Sequence, residues 1–182
     1  KFADLDAIAV TAGPGLAPCL DVGLSTAKQL ARELGKPLIA VNHVEAHSLV
    51  SRLEHPQVDF PYLTLLVTGG HTMLWLSRGV GDNLILGETS DDAIGEAFDK
   101  GARMLQVDKA PSEAGGAALG RAAARGNPRS YPFTVPLSTK EEHLLSLDFS
   151  FAGLKTELRR RIAELAKAQQ ERAANPIAAA AP

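Results

Sequence analysis

At 182 residues, 45% apolar and 22% charged, the chain is long enough to bury a sizeable core as one large domain or two small ones, and its composition is that of an ordinary globular protein. No stretch reaches the roughly 20 consecutive apolar residues that a membrane-crossing helix needs, and a single cysteine, Cys19, excludes an intramolecular disulfide framework and points to a reducing compartment. The net charge of −2 divides unevenly: residues 1–100 hold 7 Lys/Arg against 13 Asp/Glu and residues 101–182 hold 12 against 8, a mild basic bias compatible with nucleic acid meeting the C-terminal half.

The chain opens on Lys1-Phe2-Ala3-Asp4 and enters a strand-like run at residues 7–11 almost at once, so it reads as a piece of a longer polypeptide. A turn rich in Gly and Pro follows, T-A-G-P-G-L, and the pattern predicts a helix from Asp21 to about Leu34 with Gly35 as its stop. Cys19 follows Pro18 at the mouth of that helix, where a lone cysteine is more often a small packing residue than a reactive thiol. Residues 37–41 form a second buried strand, and His43 to Arg52 the next helix. Strand, helix, strand, helix predicts a parallel α/β layer, with the last helix starting at a strand's C-terminal end, where such sheets place ligands.

Glu54-His55-Pro56-Gln57 breaks the pattern and divides the chain into expected domains of residues 1–56 and 57–182. The second begins with a strand at Tyr62 to Val67, a tight turn at Thr68-Gly69-Gly70-His71, a returning strand at Thr72 to Leu76 and a third strand at Leu84 to Leu86. Helices are expected from Asp91 to about Gln106, Gly116 to Arg125 and Phe151 to about Arg172. The Ala-rich tail has no periodicity.

Residues 43–47 read H-V-E-A-H. On a helix His43 and His47 lie about 40° apart, one turn above the other, so both imidazoles reach one divalent cation, or both are simply polar residues at a helix start. Glu45 lies about 160° from either ring. The zinc-protease pattern H-E-x-x-H needs its carboxylate beside the metal, so the protease reading loses its base. In L-V-T-G-G-H-T the glycines bring backbone amides close to a phosphate or acyl oxygen, although a tight hairpin needs such a turn anyway.

Within residues 87–103 a helix would place Asp92, Glu96 and Asp99 on one side, to hold sugar hydroxyls or a metal or merely to face solvent with Arg103 paired to Asp99. Ile94, Ala97, Phe98, Gly101 and Leu105 make the opposite, buried face. Gly95, expected in mid-helix at a cost close to 1 kcal/mol against Ala, suggests a close neighbour. Ala114-Gly115-Gly116-Ala117 is a glycine turn at a helix start, a fair anion site. Arg159-Arg160-Arg161 is a basic run, usually a solvated face, though a phosphate contact is open to it. His71 and His143 read as structural or surface residues.

In order, T-A-G-P-G-L, V-N-H-V-E-A-H, L-L-V-T-G-G-H-T, G-E-T-S-D-D-A-I-G-E-A-F-D-K, G-G-A-A-L-G-R-A-A-A-R-G-N-P and D-F-S-F-A-G-L-K-T-E-L resemble the TsaD family over nearly all of residues 5–160. The resemblance implies an α/β protein of the actin and hexokinase-like (ASKHA) ATPase fold, with two α/β domains, both incomplete here. It implies an acyltransferase that moves a threonylcarbamoyl group from threonylcarbamoyl-adenylate to the exocyclic amine of the adenosine beside the tRNA anticodon. By the same resemblance His43 and His47 are ligands of one divalent ion, Fe or Zn. Leu66, Val67, Thr68, Gly69 and Gly70 form the loop that holds the nucleotide or acyl group, and Asp99 and Gly116 match further nucleotide contacts.

Where the family usually has P-G-G-P and then an acidic residue, this sequence has Ala114-Gly115-Gly116-Ala117 and then Gly120, which puts a ribose contact in question. The family's third metal ligand, an Asp, and an Asn that contacts nucleotide lie beyond these residues, so the 182 residues alone are expected to be inactive. G-L-A-P-C-L-D-V-G-L and F-P-Y-L-T-L-L-V-T-G-G-H-T resemble most the mitochondrial branch, implying a homodimer in the matrix. The bacterial branch, cytoplasmic and working with helper subunits, is the alternative. O-carbamoyltransferases of the same fold and non-catalytic partner subunits are the rival readings; such partners typically lack the metal pair. A sugar kinase of this fold would not need His43 and His47.

Overall fold

The computed structural model describes residues 2–138 and 145–174; His143 lies outside them. The chain gathers into two compact units that interleave in sequence, residues 1–64 with 75–84, and residues 65–74 with 85–182.

In the first unit a short 3-10 turn, Phe2–Asp4, leads to β1 (Ile8–Gly13), α1 (Ala17–Leu34) and β2 (Leu38–Asn42). β1 and β2 pair in parallel from Ile8 opposite Leu38 to Gly13 opposite Asn42, with an irregularity between Thr11 and Gly13. This is the expected β-α-β unit, and Ala27 and Ala31, one turn apart on α1, supply its buried small residues. α1 starts four residues before the expected Asp21 because Pro18 sits in its first turn, where a fixed φ and a missing N–H cost nothing. It ends as expected at Gly35, whose φ of 62° lets its N–H reach the carbonyls of Ala31 and Arg32.

α2 (His43–Leu49) and the single turn α3 (Ser51–Glu54) follow at the C-terminal end of β2. Three further strands, β3 (Tyr62–Val67), β4 (Thr72–Gly79) and β5 (Asp82–Glu88), form a sheet in the order β3-β4-β5 that contributes residues to both units. In the first unit buried hydroxyls tie α2 to this sheet. The Ser48 Oγ lies 2.9 Å from both Thr64 Oγ1 and Ser77 Oγ, the Tyr62 hydroxyl donates to the Ser48 carbonyl at 3.2 Å, and the Trp75 indole N–H donates to Ser77 Oγ and Asn83 Oδ1. Each group satisfies another, so the buried Ser48 and Ser77 hydroxyls and the Trp75 indole all have partners. The network clamps the Val44 and Ser48 side of α2 inward.

The second unit is built from α4 (Ile94–Met104), α5 (Gly115–Ala123) and α6 (Ala152–Ala174), with α4 packed on both others. Gly101, Ala102 and Ala118 are the buried residues of α4 and α5, small enough to let the helices approach closely. α4 begins at Ile94, not Asp91, because residues 89–93 are occupied elsewhere. Thr89 Oγ1 donates to the Asp92 carbonyl at 2.7 Å, and Asp91 takes the Ser150 hydroxyl and the Phe151 N–H at 2.5 and 2.8 Å. Asp91 thus ties down the entry to α6 from 60 residues away. The apolar face expected to be buried on α4 is buried only in part: Gly101 is buried and Ile94 and Ala97 are half-buried, whereas Phe98 is 51% and Leu105 44% exposed. They border a cavity of about 760 Å³ with Leu119, Tyr131, Leu158 and Ile162.

Candidate functional site

Asn42, the residue before α2, accepts the N–H groups of Val44 and Glu45 at 2.9 and 3.1 Å, a side-chain N-cap that fixes where the helix begins. That start sets the positions of both histidines. With Val44 and Ser48 turned inward, His47 is exposed and His43 half-buried. Their ring centroids are 4.6 Å apart in an edge-to-face arrangement. Metal–imidazole nitrogen bonds of about 2 Å put the centroids of two rings on a shared ion roughly 5 Å apart, so the pair fits two ligand positions of one divalent cation. Among the described residues no group of three His, Cys, Asp or Glu side chains assembles to complete such a site.

Glu45 is held away from that chemistry. Its Oε1 accepts the Gly81 N–H at 2.5 Å and the Asn83 amide at 2.8 Å. A carboxylate engaged by two donors is a tether for the turn between β4 and β5, not the free base a metalloprotease needs.

The glycine turn lies in the second unit. Leu66 is buried in β3 and Val67 ends the strand. Thr68 closes the turn with its own backbone and side chain: its N–H donates to the His71 carbonyl at 2.8 Å and its Oγ1 accepts from the N–H of Gly70 and His71 at 3.3 and 2.9 Å. Among the described residues the Gly69 N–H has no acceptor, which leaves an exposed backbone donor at the tip of the turn.

Asp99 and Gly116, 17 residues apart, are brought into direct contact: the Gly116 N–H donates to Asp99 Oδ1 at 2.6 Å. The Asp99 carboxylate therefore takes one of the amides at the start of α5 that the sequence offered to an external anion, and the expected ion pair with Arg103 is not formed among the described residues. Glycine eases this approach, since a Cβ on Gly115 would stand 3.0 Å from that same oxygen and 3.1 Å from the Asp99 Cα, close enough to make one of them give way by a few tenths of an ångström. Asp99 and Gly115 border a cleft of about 510 Å³ with Lys109 and Glu113. Gly120 is exposed with open space around it.

The other two carboxylates of the expected acidic face have ion-pair partners. Asp92 precedes α4 and holds both Lys100, at 2.9 Å, and Lys155 of α6, while Glu96 pairs with Lys100 at 2.8 Å. The bonds from Lys155 and Lys100 hold the Asp92 carboxyl below its ordinary range, and those from Glu96 and Asp92 raise Lys100. Burial pushes Asp91 upward, but the donors from Ser150, Phe151, Ala152 and Asp92 outweigh it and lower its pKa. Sequence reading missed these ties and the Asn42 cap. Asn immediately before a helix was a legible signal for the second; nothing local announces partners 60 residues away.

Compared with known proteins, all of residues 1–182 match the family model described as TsaD, tRNA N6-adenosine threonylcarbamoyltransferase. The chain belongs to the TsaD family. Membership carries the ASKHA-type fold, in keeping with the mixed α/β content seen here. Relatives named tRNA N6-adenosine threonylcarbamoyltransferase include that of Brucella anthropi, 51% identical over 91% of this chain, and that of Sinorhizobium medicae, 52% identical over 87%. A third, from Bordetella petrii, is 48% identical over 88%. The chain spans 42% to 44% of the length of these curated relatives. All three are bacterial, and among the described residues no helix is long and apolar enough to cross a membrane.

Proposed function

We propose that the complete protein transfers a threonylcarbamoyl group from threonylcarbamoyl-adenylate to the exocyclic amine of the adenosine next to the tRNA anticodon. The observation that carries this reading is the paired imidazoles of His43 and His47 on a capped, clamped helix, with Glu45 withdrawn from them. His43 and His47 would hold one divalent ion, Fe or Zn, with a further ligand from outside these 182 residues. When bound, the ion supplies Lewis-acid and template chemistry at an acyl-phosphate.

The chain's own part in the second unit is to bind and orient. Leu66 to Gly70 present the adenylate with a turn whose Gly69 N–H is free to donate. Asp99, fixed by the Gly116 amide, keeps a second oxygen for a ribose hydroxyl. Gly120 adds no carboxylate there, so ribose binding rests more heavily on Asp99. The attacking amine displaces AMP from the activated carbonyl, and amide donors aimed at the anionic part stabilise the charge that develops.

The same reading takes residues 1–56 and 57–182 as parts of two ASKHA domains and tRNA as the macromolecular substrate. Because the relatives named above are bacterial, we favour the bacterial cytoplasm and helper subunits over the mitochondrial matrix and a homodimer. The test is to incubate the complete protein with threonylcarbamoyl-adenylate and unmodified tRNA, digest the RNA and seek threonylcarbamoyl-adenosine by mass spectrometry. Product from the wild type and none from a His43→Ala/His47→Ala variant supports both the transfer and the metal pair. Absence of product even with partner subunits added would refute it and bring forward another carbamoyl acceptor.

A further inference from the structure

Gly95 is the second residue of α4, not a mid-helix glycine, so helix propensity does not explain it. Its surroundings do. A Cβ built on Gly95 would stand 2.7 Å from the Thr68 carbonyl oxygen, 2.8 Å from the Gly69 Cα and 3.0 Å from the Gly69 nitrogen. All three atoms are backbone, which cannot swing aside as the end of a side chain would. By contrast, a Cβ on Gly101 in the same helix would meet only Leu158 and Leu119 side chains, at 3.5 and 3.7 Å.

A second bond fixes the same approach. The Ile94 N–H donates to Thr72 Oγ1 at 2.9 Å, and Thr72 is 3% exposed. Thr72 follows the turn directly and also accepts the Thr89 N–H through its carbonyl at 2.9 Å. The first turn of α4 is thus seated against the back of Thr68 and Gly69, with Thr72 latching it in place.

We propose that Gly95 is a positioning residue for the adenylate-binding turn: the absence of its side chain sets where the Gly69 and Gly70 amides stand. This rests on the functional reading above only for what the turn binds. An alanine here must push the turn or the helix aside by several tenths of an ångström, and displacement on that scale at a binding loop weakens every bond the loop makes.

The experiment uses the full-length protein labelled with nitrogen-15 at glycine, as wild type, Gly95→Ala, Gly101→Ala and Thr72→Val. The Gly69 and Gly70 amide resonances are expected to shift in Gly95→Ala and to stay in place in Gly101→Ala. KM for threonylcarbamoyl-adenylate should rise about 10-fold in Gly95→Ala while KM for tRNA stays within about twofold, a split that general loss of stability would not produce. Thr72→Val keeps the volume but removes the acceptor for Ile94, and should raise the same KM about threefold. Unmoved Gly69 and Gly70 resonances in Gly95→Ala, or an unchanged adenylate KM there, would overturn the proposal. If Gly95→Ala does not fold, Thr72→Val decides in its place: no change in its KM or in the two resonances has the same force. A wild type that makes no threonylcarbamoyl-adenosine would sink the functional reading instead, and the resonances alone then decide the positioning role.

Discussion

The histidine pair and the Asp99–Gly116 contact are both placed by helix starts, yet they are built in opposite ways. His43 and His47 meet because they are four residues apart on one helix, and their separation would survive any change that left α2 helical. Asp99 meets Gly116 across 17 residues, only because α4 packs on α5 and because Gly115 lacks a side chain that would crowd the carboxylate. Local geometry makes the first pair robust. The second depends on tertiary packing and gives way when that packing loosens.

The largest expected effect tests the local pair. His43→Ala should reduce bound metal and transfer activity by at least about 100-fold in the complete protein, measured by metal analysis and threonylcarbamoyl-adenosine yield. His47→Ala should do the same with little change in thermal midpoint, because His47 is exposed. Ser48→Ala provides the contrast. It leaves both rings but strips the buried hydroxyl that meets Thr64 and Ser77, and should cost about 1–3 kcal/mol of stability with the metal retained. Metal lost equally from Ser48→Ala would show that the pair needs its tertiary clamp and would erase the distinction.

For the assembled contact, Asp99→Ala should weaken adenylate binding about 10-fold and remove about 1 kcal/mol of stability, since the Gly116 amide loses its acceptor. Asp99→Asn separates the two roles. Its side-chain oxygen still caps Gly116, so chemical denaturation should match the wild type, while adenylate affinity, read by calorimetry, falls with the lost charge. Equal adenylate affinity in wild type and Asp99→Asn would leave Asp99 a purely structural cap.

The same division explains what could be read before the fold was known. β3 occupies Tyr62–Val67 as expected, the β1–α1–β2 unit pairs in parallel, and the two histidines share a helix face, because strand alternation and helix period are properties of neighbouring residues. The start of α4 was misread because Asp91 and Asp92 look like good first-turn residues and nothing near them reveals Ser150, Phe151 and Lys155. Phe98 and Leu105 share one apolar stripe with Gly101, as the helix period predicts, but only Gly101 of the three is buried, since burial is decided by what covers the stripe.

Acid should expose those long-range ties next. Asp91 and Asp92 both have folded-state pKa values below their ordinary 3.8, so the stability they contribute is complete above that value and is lost as pH falls through the depressed ones. Below about pH 4, amide exchange should rise first at residues 151–155, where Asp91 and Asp92 hold the start of α6. α1 has no side-chain cap and ends on the backbone bonds of Gly35, so its protection should persist to lower pH. Simultaneous loss in both helices would mean that acid acts on the whole chain and not on the assembled contacts.

The smallest effect separates local from assembled roles within the basic run on α6. Arg161 donates to the Pro132 carbonyl at 2.9 Å and to Glu157 at 3.2 Å, and Arg160 pairs with Glu164 at 2.6 Å, so reversing either charge disturbs the fold before it reports on a ligand. Arg159 is exposed and forms no ion pair among the described residues, which makes it the clean probe of the idea that residues 101–182 help hold tRNA. Arg159→Glu in the complete protein should lower tRNA affinity by about two- to fivefold and reduce the salt dependence of binding by about one counterion, with the thermal midpoint unchanged. Arg161→Glu should instead lower the midpoint by a few degrees, because it frees the segment at Pro132. Unchanged tRNA affinity and salt slope in Arg159→Glu would remove this face of α6 from the tRNA footprint, leaving its basic run to the intrahelical pairs that Arg160 and Arg161 form with Glu164 and Glu157.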